Sequence, residues 1–272
     1  MRASRSMCLI LGRGSVITMD WLIPLVFLFG TALGSFANVV DLRIYRLQTI
    51  LIQRSQCPHC HHPLAWFDLI PIGSFVVLRG RCRYCGKPIH LQYPLVELAV
   101  GILAVVTYSA FGISVAALLT LLALTALVIL FVHDLKTMRL PDVVILGGLL
   151  VAVGSFLARH GTDRDDIQLL LIGSIAGVAV PGILYLAGKG KWMGFGDVKL
   201  GAFLGLFLGW PLIAVAFPIA FLTGAVAALV LVFLGKKSMQ SAIPFGPFLV
   251  LGATLALFFG ERLLVYYHRA FL

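Results

Sequence analysis

The fold is decided by residues 98–133, which read LAVGILAVVTYSAFGISVAALLTLLALTALVILFVH and contain no Asp, Glu, Lys or Arg. As one helix these 36 residues would be about 54 Å long, whereas roughly 20 apolar residues already cross the hydrocarbon layer of a membrane. The turn signal Phe111-Gly112-Ile113-Ser114 lies in the middle of the stretch. The sequence therefore predicts two membrane-spanning helices here.

Other stretches without Asp, Glu, Lys or Arg are residues 21–40, 143–158, 167–188, 200–235 and 238–260. The stretch 200–235 also exceeds one span, and Gly209-Trp210-Pro211 divides it. We therefore expect an all-α polytopic membrane protein with about eight transmembrane helices, the sixth of which, at 197–210, is short and glycine-rich. Buried helices of a soluble protein are the alternative, but only 12% of the residues are charged, too few to cover a large core.

The net charge of +10 raises the question of whether nucleic acid is a partner. With eight spans and the N-terminus outside, most Lys and Arg residues fall in the inner segments, as the positive-inside rule requires. Membrane topology therefore explains the charge, and we expect contact with membrane lipid and none with nucleic acid.

The longest polar segment, residues 41–94, is rich in Cys, His, Pro, Gly and basic residues. We expect a small cytoplasmic domain there, inserted between the first transmembrane helix (21–40) and a seven-helix bundle (95–272). Residues 1–20 form an N-terminal extension, and our hypothesis is that translation begins at Met19.

Two Cys-x-x-Cys pairs, CPHC at 57–60 and CRYC at 82–85, are separated by 21 residues inside this polar segment. Four thiolates on two tight turns are typical of a structural zinc ribbon, so we expect Zn²⁺ bound by four ligands. Disulfides are disfavoured in a cytoplasmic loop, and a redox motif needs only one pair. Replacement of one cysteine ligand by His59, His61 or His62 remains an alternative. The predicted ligands are Cys57, Cys60, Cys82 and Cys85.

Three acids stand at predicted inner helix ends, where ionisable groups in a membrane bundle are functional candidates: Asp134, Asp142 and Asp197. Two facing carboxylates can share a proton, so that one activates water and the other protonates the leaving group. The competing interpretation is structural. Asp142 and Asp197 suit helix N-termini, and Asp134 could pair with Lys136 or Arg139.

The motif around Asp197 is GFGD at 194–197. Gly194 and Gly196 lack side chains, so a substrate backbone could approach the carboxylate closely. Lys199 follows two residues later and could adjust the electrostatics. These three residues are candidates for shaping the site.

Five motifs in a fixed order resemble the type IV prepilin leader peptidases, a family within the GxGD class of intramembrane aspartyl proteases. They are GSFANVV (34–40) with IYRL (44–47), FDLIPIGSFVVLRGRCRYCGKPI (67–89), YPLVELAVG (93–101), DLKTMRLPD (134–142) and GFGDVKLGAFLG (194–205). The resemblance implies that Asp134 and Asp197 are the catalytic pair and Asp142 is outside it. It also implies that the four paired cysteines bind zinc.

The resemblance further implies a multi-pass protein of the bacterial inner membrane that cleaves prepilins or pseudopilins on the cytoplasmic side. Cleavage follows the Gly that ends a short basic leader, and S-adenosylmethionine then methylates the new amine. Glu97, Asn38 and Arg43 are candidates for the methylation step, or are simply interfacial polar residues. The alternatives are a peptidase without methyltransferase activity and, in another class, a membrane transporter with a zinc-ribbon regulatory loop.

Two features depart from the family pattern. The N-terminal signature looks lengthened by Asp41-Leu42-Arg43, and His133 precedes Asp134 where an apolar residue is usual. We hypothesise that a protonated His133 lowers the pKa of the catalytic aspartates.

Overall fold

The computed structural model describes residues 20–44, 54–235 and 243–271, and α-helices dominate all three parts. In chain order the helices are α1 (Ile23–Arg43), α2 (Gly73–Val77), α3 (Gln92–Phe111), α4 (Val115–Thr137), α5 (Asp142–His160), α6 (Arg164–Ala187), α7 (Phe195–Leu208), α8 (Leu212–Phe233) and α9 (Gly246–Phe271). The N-terminal extension and the hypothesis about Met19 lie outside the described residues.

The prediction of an all-α polytopic membrane protein is confirmed. In the described part of the chain, seven helices are long and apolar enough to cross a membrane. The two others are α2, in the cysteine-rich segment, and α7, which has 14 residues. Helix α7 corresponds to the short sixth of the eight transmembrane helices that the sequence predicted.

Both long apolar stretches are divided where the turn signals stand. Gly112 ends α3 with a φ of 62°, and the Ser114 hydroxyl caps α4 by accepting a hydrogen bond from the Ala117 N–H at 3.1 Å. Gly209 ends α7 with a φ of 69°, and Pro211 stands immediately before α8. Each stretch therefore forms two helices.

The helices pack as neighbours along the chain: α4 against α5, α6 against α7, and α8 against α9, while α1 packs against α3. One apolar core joins α4, α5, α7, α8 and α9, and the fully buried Leu127, Phe203 and Ala253 belong to it. Because α7 also contacts α5 and α9, this short helix is enclosed by longer ones.

The contact between α6 and α7 is made by glycines spaced four residues apart. Gly173 and Gly177 on α6 face Gly201 and Gly205 on α7, and a Cβ added at Gly201 would lie 2.2 Å from the Gly177 carbonyl oxygen. Two backbones can approach this closely only where side chains are missing. This contact fixes the position of α7 in the bundle.

A second glycine contact joins α1 to α3. A Cβ added at Gly34 would lie 2.8 Å from the Glu97 Cα, and one at Gly30 would lie 2.5 Å from the Ala104 Cβ. The start of α3 therefore lies directly against α1, with the cysteine-rich segment between them in the chain.

The C-terminal end of α7 is capped from another helix. Arg159, in the last turn of α5, donates a hydrogen bond to the carbonyl of Phe207. A cation near a helix C-terminus stabilises the unpaired carbonyls there. The Trp210 N–H, just beyond α7, donates to the Leu169 carbonyl on α6 at 3.0 Å.

Candidate active sites

Asp134 lies in the last turns of α4 and is only 5% exposed. Its Oδ2 atom is buried and has no hydrogen-bond partner among the described residues. Helix α9 begins against this oxygen, since a Cβ added at Gly246 would lie 2.6 Å from it. The Gly246 N–H at this helix N-terminus is directed at the carboxylate and favours its negative charge, but no hydrogen bond of normal geometry reaches Oδ2. Such an oxygen is available to a substrate or to water.

Asp197 lies in the first turn of α7 and is half-buried. Its Oδ2 atom accepts a hydrogen bond from the Gly194 N–H at 3.1 Å, so Asp197 caps its own helix. Asp134, 63 positions earlier in the sequence, is close enough to act on it electrostatically.

The other candidates near GFGD have assigned contacts. The Lys199 Nζ lies 2.7 Å from the Asp142 Oδ1, in a pair whose side chains are 36% and 62% exposed. Gly196 packs against Leu140, and Gly194 stays exposed. Lys199 therefore links the start of α7 to the start of α5.

A buried polar cluster that sequence reasoning missed ties α1 to α4. Asp41 on α1 has a side chain that is 3% exposed, and its carboxylate meets the His133 Nδ1 at 2.9 Å and the Lys136 Nζ at 2.6 Å. Gln92 also donates to Asp41 at 3.3 Å. Lys136 is thus bound to Asp41, not to Asp134. The available signal was His133, an ionisable residue at the end of the apolar stretch 98–133.

His133 precedes Asp134 on α4 and hydrogen-bonds across to α1. The hypothesis that it lowers the pKa of the catalytic aspartates stays a prediction.

The four paired cysteines form one cluster. The sulfur atoms of Cys57, Cys60, Cys82 and Cys85 all lie within 4.8 Å of one another, and the Sγ atoms of Cys57 and Cys85 are 3.9 Å apart. Tetrahedral zinc with Zn–S bonds of about 2.3 Å places its sulfurs about 3.8 Å apart. The donor set therefore fits a zinc ion.

The two cysteine turns have the same backbone pattern. Cys57 N–H donates to the His62 carbonyl at 3.1 Å, and Cys82 N–H donates to the Lys87 carbonyl at 2.8 Å. The fourth residue after the first cysteine of each pair has a positive φ: 56° at His61 and 69° at Gly86. Equivalent turns from both halves of the segment present their thiols to one point, as in a zinc ribbon.

A backbone hydrogen bond from Lys87 lowers the pKa of the Cys85 thiol, but burial and the neighbouring thiols outweigh it and raise that pKa to about 11. The Cys57 thiol is the more acidic one. Burial raises its pKa, but hydrogen bonds from the backbone of Cys60 and His59 outweigh burial and lower the pKa to about 7. His62 stacks on Tyr84 with ring centroids 3.8 Å apart, so this histidine has a packing role.

A cavity of about 720 Å³ lies between the C-terminal end of α1, the cysteine-rich segment and the start of α3. It is lined on the helix side by Asn38, Arg43 and Glu97, and on the other side by Asp68 and Tyr84. Pockets for small organic ligands range over about 300–1,000 Å³. No pattern in the sequence predicted this cavity, which forms only where distant segments meet.

Asp68 is the carboxylate on the far wall of the cavity, with a side chain that is 3% exposed. Burial raises its pKa, but hydrogen bonds from Arg83 at 2.8 Å, Tyr84 at 3.0 Å and the Ala65 N–H at 3.3 Å outweigh burial, so the pKa lies below its usual range. Asp68 is therefore a fixed, neutralised anion.

Glu97 is the other carboxylate of the cavity and is 8% exposed. Its Oε2 accepts a hydrogen bond from the Ile72 N–H at 2.7 Å, and the Ser35 hydroxyl is a second donor. Ile72 has a φ of 59°, a conformation that is unusual for a β-branched residue. The structure thus directs this backbone N–H at Glu97.

Comparison with known proteins gives matches along most of the chain. Two family models match: the bacterial peptidase A24 N-terminal domain over residues 28–111, and the type IV leader peptidase family over residues 121–229. A protein of Aeromonas hydrophila named prepilin leader peptidase/N-methyltransferase is 36% identical, over 93% of this chain and 97% of its own. Proteins with the same name from Legionella pneumophila and Bacillus subtilis (strain 168) are each 32% identical, over 93% and 90% of this chain and 96% and 98% of their own. No solved structure matches the chain.

Proposed function

The chain belongs to the type IV leader peptidase family, and on that premise we propose that it removes the leaders of type IV prepilins or pseudopilins and then methylates the new N-terminal amine. The relatives' names join a peptidase and an N-methyltransferase in one protein. We propose that the peptidase site lies in the bundle and the methyl-transfer site beside the cysteine-rich segment.

One observation carries the peptidase assignment: the buried, unpaired Oδ2 of Asp134 lies in the electrostatic neighbourhood of Asp197. Neighbouring carboxylates oppose each other's ionisation, so such a pair holds one proton at neutral pH. The purely structural roles explain less of this geometry. Lys136 is bound to Asp41 and so does not pair with Asp134, and the helix cap made by Asp197 uses only its Oδ2.

The proposed reaction is hydrolysis of the peptide bond after the last Gly of the leader. The ionised carboxylate takes a proton from water, and the hydroxide adds to the carbonyl carbon. The protonated carboxyl gives its proton to the amide nitrogen, the C–N bond breaks, and a carboxylic acid and an amine leave. One proton has moved through the pair, and the net reaction consumes one water.

The location of the two acids fits such a substrate. Asp134 and Asp197 lie at helix ends on the side of the membrane where we place the cytoplasm. There a basic leader stays in water while the apolar segment that follows it lies among the spans. The exposed Gly194 leaves room for a substrate backbone near Asp197.

The second activity is assigned to residues 41–94 together with the helix ends that flank them. The cysteine cluster supports a structural role for zinc, which would hold the two turns in place. The cavity of about 720 Å³ is large enough for S-adenosylmethionine. That cofactor supplies an electrophilic methyl group when bound.

The decisive experiment expresses a prepilin with the wild type, with Asp134→Asn and with Asp197→Asn in bacterial membranes. Each substitution keeps the shape of the side chain and removes its acid–base function, so we expect cleavage to fall by about 10³-fold or more. The control is Asp142→Asn, whose side chain is 62% exposed and paired with Lys199. We expect it to cleave within about threefold of the wild type.

Cleavage by both dyad variants at the wild-type rate would remove the assignment of Asp134 and Asp197. A wild type that cleaves no prepilin and moves ions instead would favour the transporter alternative. Mass spectrometry of the mature N-terminus separates the bifunctional enzyme from a peptidase without methyltransferase activity.

A further inference from the structure

Glu97 is the one carboxylate of the cavity whose charge is not neutralised within the described structure. Asp68 is paired with Arg83, whereas no ion pair of Glu97 occurs among the described residues. Its donors, the Ile72 N–H and the Ser35 hydroxyl, are neutral groups. A buried anion held only by neutral donors retains its attraction for a cation.

Glu97 lines the cavity from α3, on the side of the membrane-spanning helices. It lies five residues into α3, which begins at Gln92, and so about 7.5 Å below the start of that helix. The contact between Gly34 and the Glu97 Cα holds α1 against this part of α3. A cation that arrives at the end of a membrane-embedded helix would meet Glu97 before it met Asp68.

We propose that Glu97 binds the N-terminal ammonium group of the cleaved, mature substrate and takes one proton from it. This inference rests on the proposed function, because leader removal creates that amine. The N–H bond breaks, its proton passes to a Glu97 oxygen, and the nitrogen keeps the electron pair that it needs to react as a nucleophile. The protonated Glu97 then returns its proton to water in the cavity.

The other ionisable groups of the cavity do not perform this role. Its basic side chains are those of Arg43, His59, Arg83, Lys87 and His90. The cationic ones among them repel an ammonium group. A carboxylate is needed, because an N-terminal amine has a pKa of about 7.7–8.0 and is mostly protonated at pH 7.

Glu97→Gln tests the charge without removing the hydrogen bond. The Gln carbonyl oxygen can still accept from the Ile72 N–H, so the fold of this wall is preserved while the anion is lost. Asp165→Asn is the matched control, since it removes one carboxylate charge at an exposed position of α6 that is distant in the chain.

The first measurement is equilibrium binding of a mature pilin peptide to the full-length protein in detergent, without methyl donor. Two peptides are compared, one with a free N-terminal amine and one with that amine acetylated. At pH 7 we expect the wild type and Asp165→Asn to prefer the free amine by about tenfold, which corresponds to about 1.4 kcal/mol. We expect Glu97→Gln to bind both peptides equally.

The pH dependence gives a readout that a purely structural role would not affect. The wild-type preference should disappear above about pH 8, where the amine loses its own proton, and Glu97→Gln should show no such change. With methyl donor present, methylation by Glu97→Gln at pH 7 should fall by about 10²-fold and should recover largely at pH 9.

Equal binding of the two peptides by the wild type would overturn the inference, and so would a retained preference in Glu97→Gln. Glu97→Asp, which restores the charge, should regain part of the preference. A wild type that discriminates between the peptides but never methylates would refute the proposed methyl transfer and leave the amine site standing.

Discussion

The cysteine-rich segment and helix α7 differ in what stabilises their structure. Within residues 54–91 the only buried residues are Cys57 and Cys82, so the segment has almost no apolar core. Half of the 14 residues of α7 are buried, and glycines bring its backbone against α6. The first region needs a bound ion to define its shape, and the second needs close packing. A perturbation of one should therefore leave the activity of the other largely intact.

The largest effect should follow from loss of a thiol. Cys57→Ser removes a buried ligand, and structural zinc contributes about 10–16 kcal/mol of binding free energy in small zinc domains. We expect the metal content, measured by atomic spectroscopy, to fall from about one zinc per chain to near zero. Methylation should fall by at least about 10²-fold and cleavage by much less.

Equal losses of cleavage and methylation in Cys57→Ser would contradict the division into two regions. Cys8 belongs to neither Cys-x-x-Cys pair in the sequence, so Cys8→Ser serves as the control and should retain the metal.

An intermediate effect should follow from Gly201→Ala. Its new Cβ would lie 2.2 Å from the Gly177 carbonyl oxygen, so α7 must move away from α6 at a cost of about 2–3 kcal/mol. We expect a lower midpoint of thermal unfolding in detergent and slower cleavage. Gly147→Ala is the control, because nothing lies within 4 Å of its Cβ. It should be neutral or slightly stabilising.

If Gly201→Ala unfolds at the same temperature as Gly147→Ala, the close packing of α6 and α7 is not what orders the second region. The zinc content of Gly201→Ala and the binding of the mature peptide by this variant should match those of the wild type.

The smallest effect should come from Lys199→Ala. The Lys199–Asp142 pair is largely exposed, and such pairs contribute about 0–1 kcal/mol. We expect cleavage within about threefold of the wild type and a slight change that disappears at high salt. A loss of 10²-fold would show that Lys199 acts on the catalytic pair directly.

The sequence predicted those features that depend on neighbouring residues. The division of the long apolar stretches follows from Gly112 and Gly209, whose positive φ values any helix-ending glycine can adopt. The cysteine cluster follows from the spacing within each pair. The shortness of α7 was predicted as well, because charge and glycine content mark its ends.

The features that the sequence did not predict depend on distant parts of the chain. Asp41 meets His133 and Lys136 across 92 and 95 positions, and no local pattern encodes that pairing. The sequence made Glu97 a candidate for the methylation step but did not predict its surroundings, because the Ile72 N–H that donates to it lies 25 positions away. The equivalence of His61 and Gly86 was hidden because only one of the two turns carries a glycine.

The length of α7 has a consequence for the interior of the bundle. Its 14 residues extend about 21 Å, whereas the hydrocarbon layer is about 30 Å thick. Because longer helices enclose α7, this difference of about 9 Å is filled by protein and not by lipid. Arg159 therefore provides, at the C-terminal end of α7, the hydrogen bond that headgroups or bulk water would provide at the end of a full-length span.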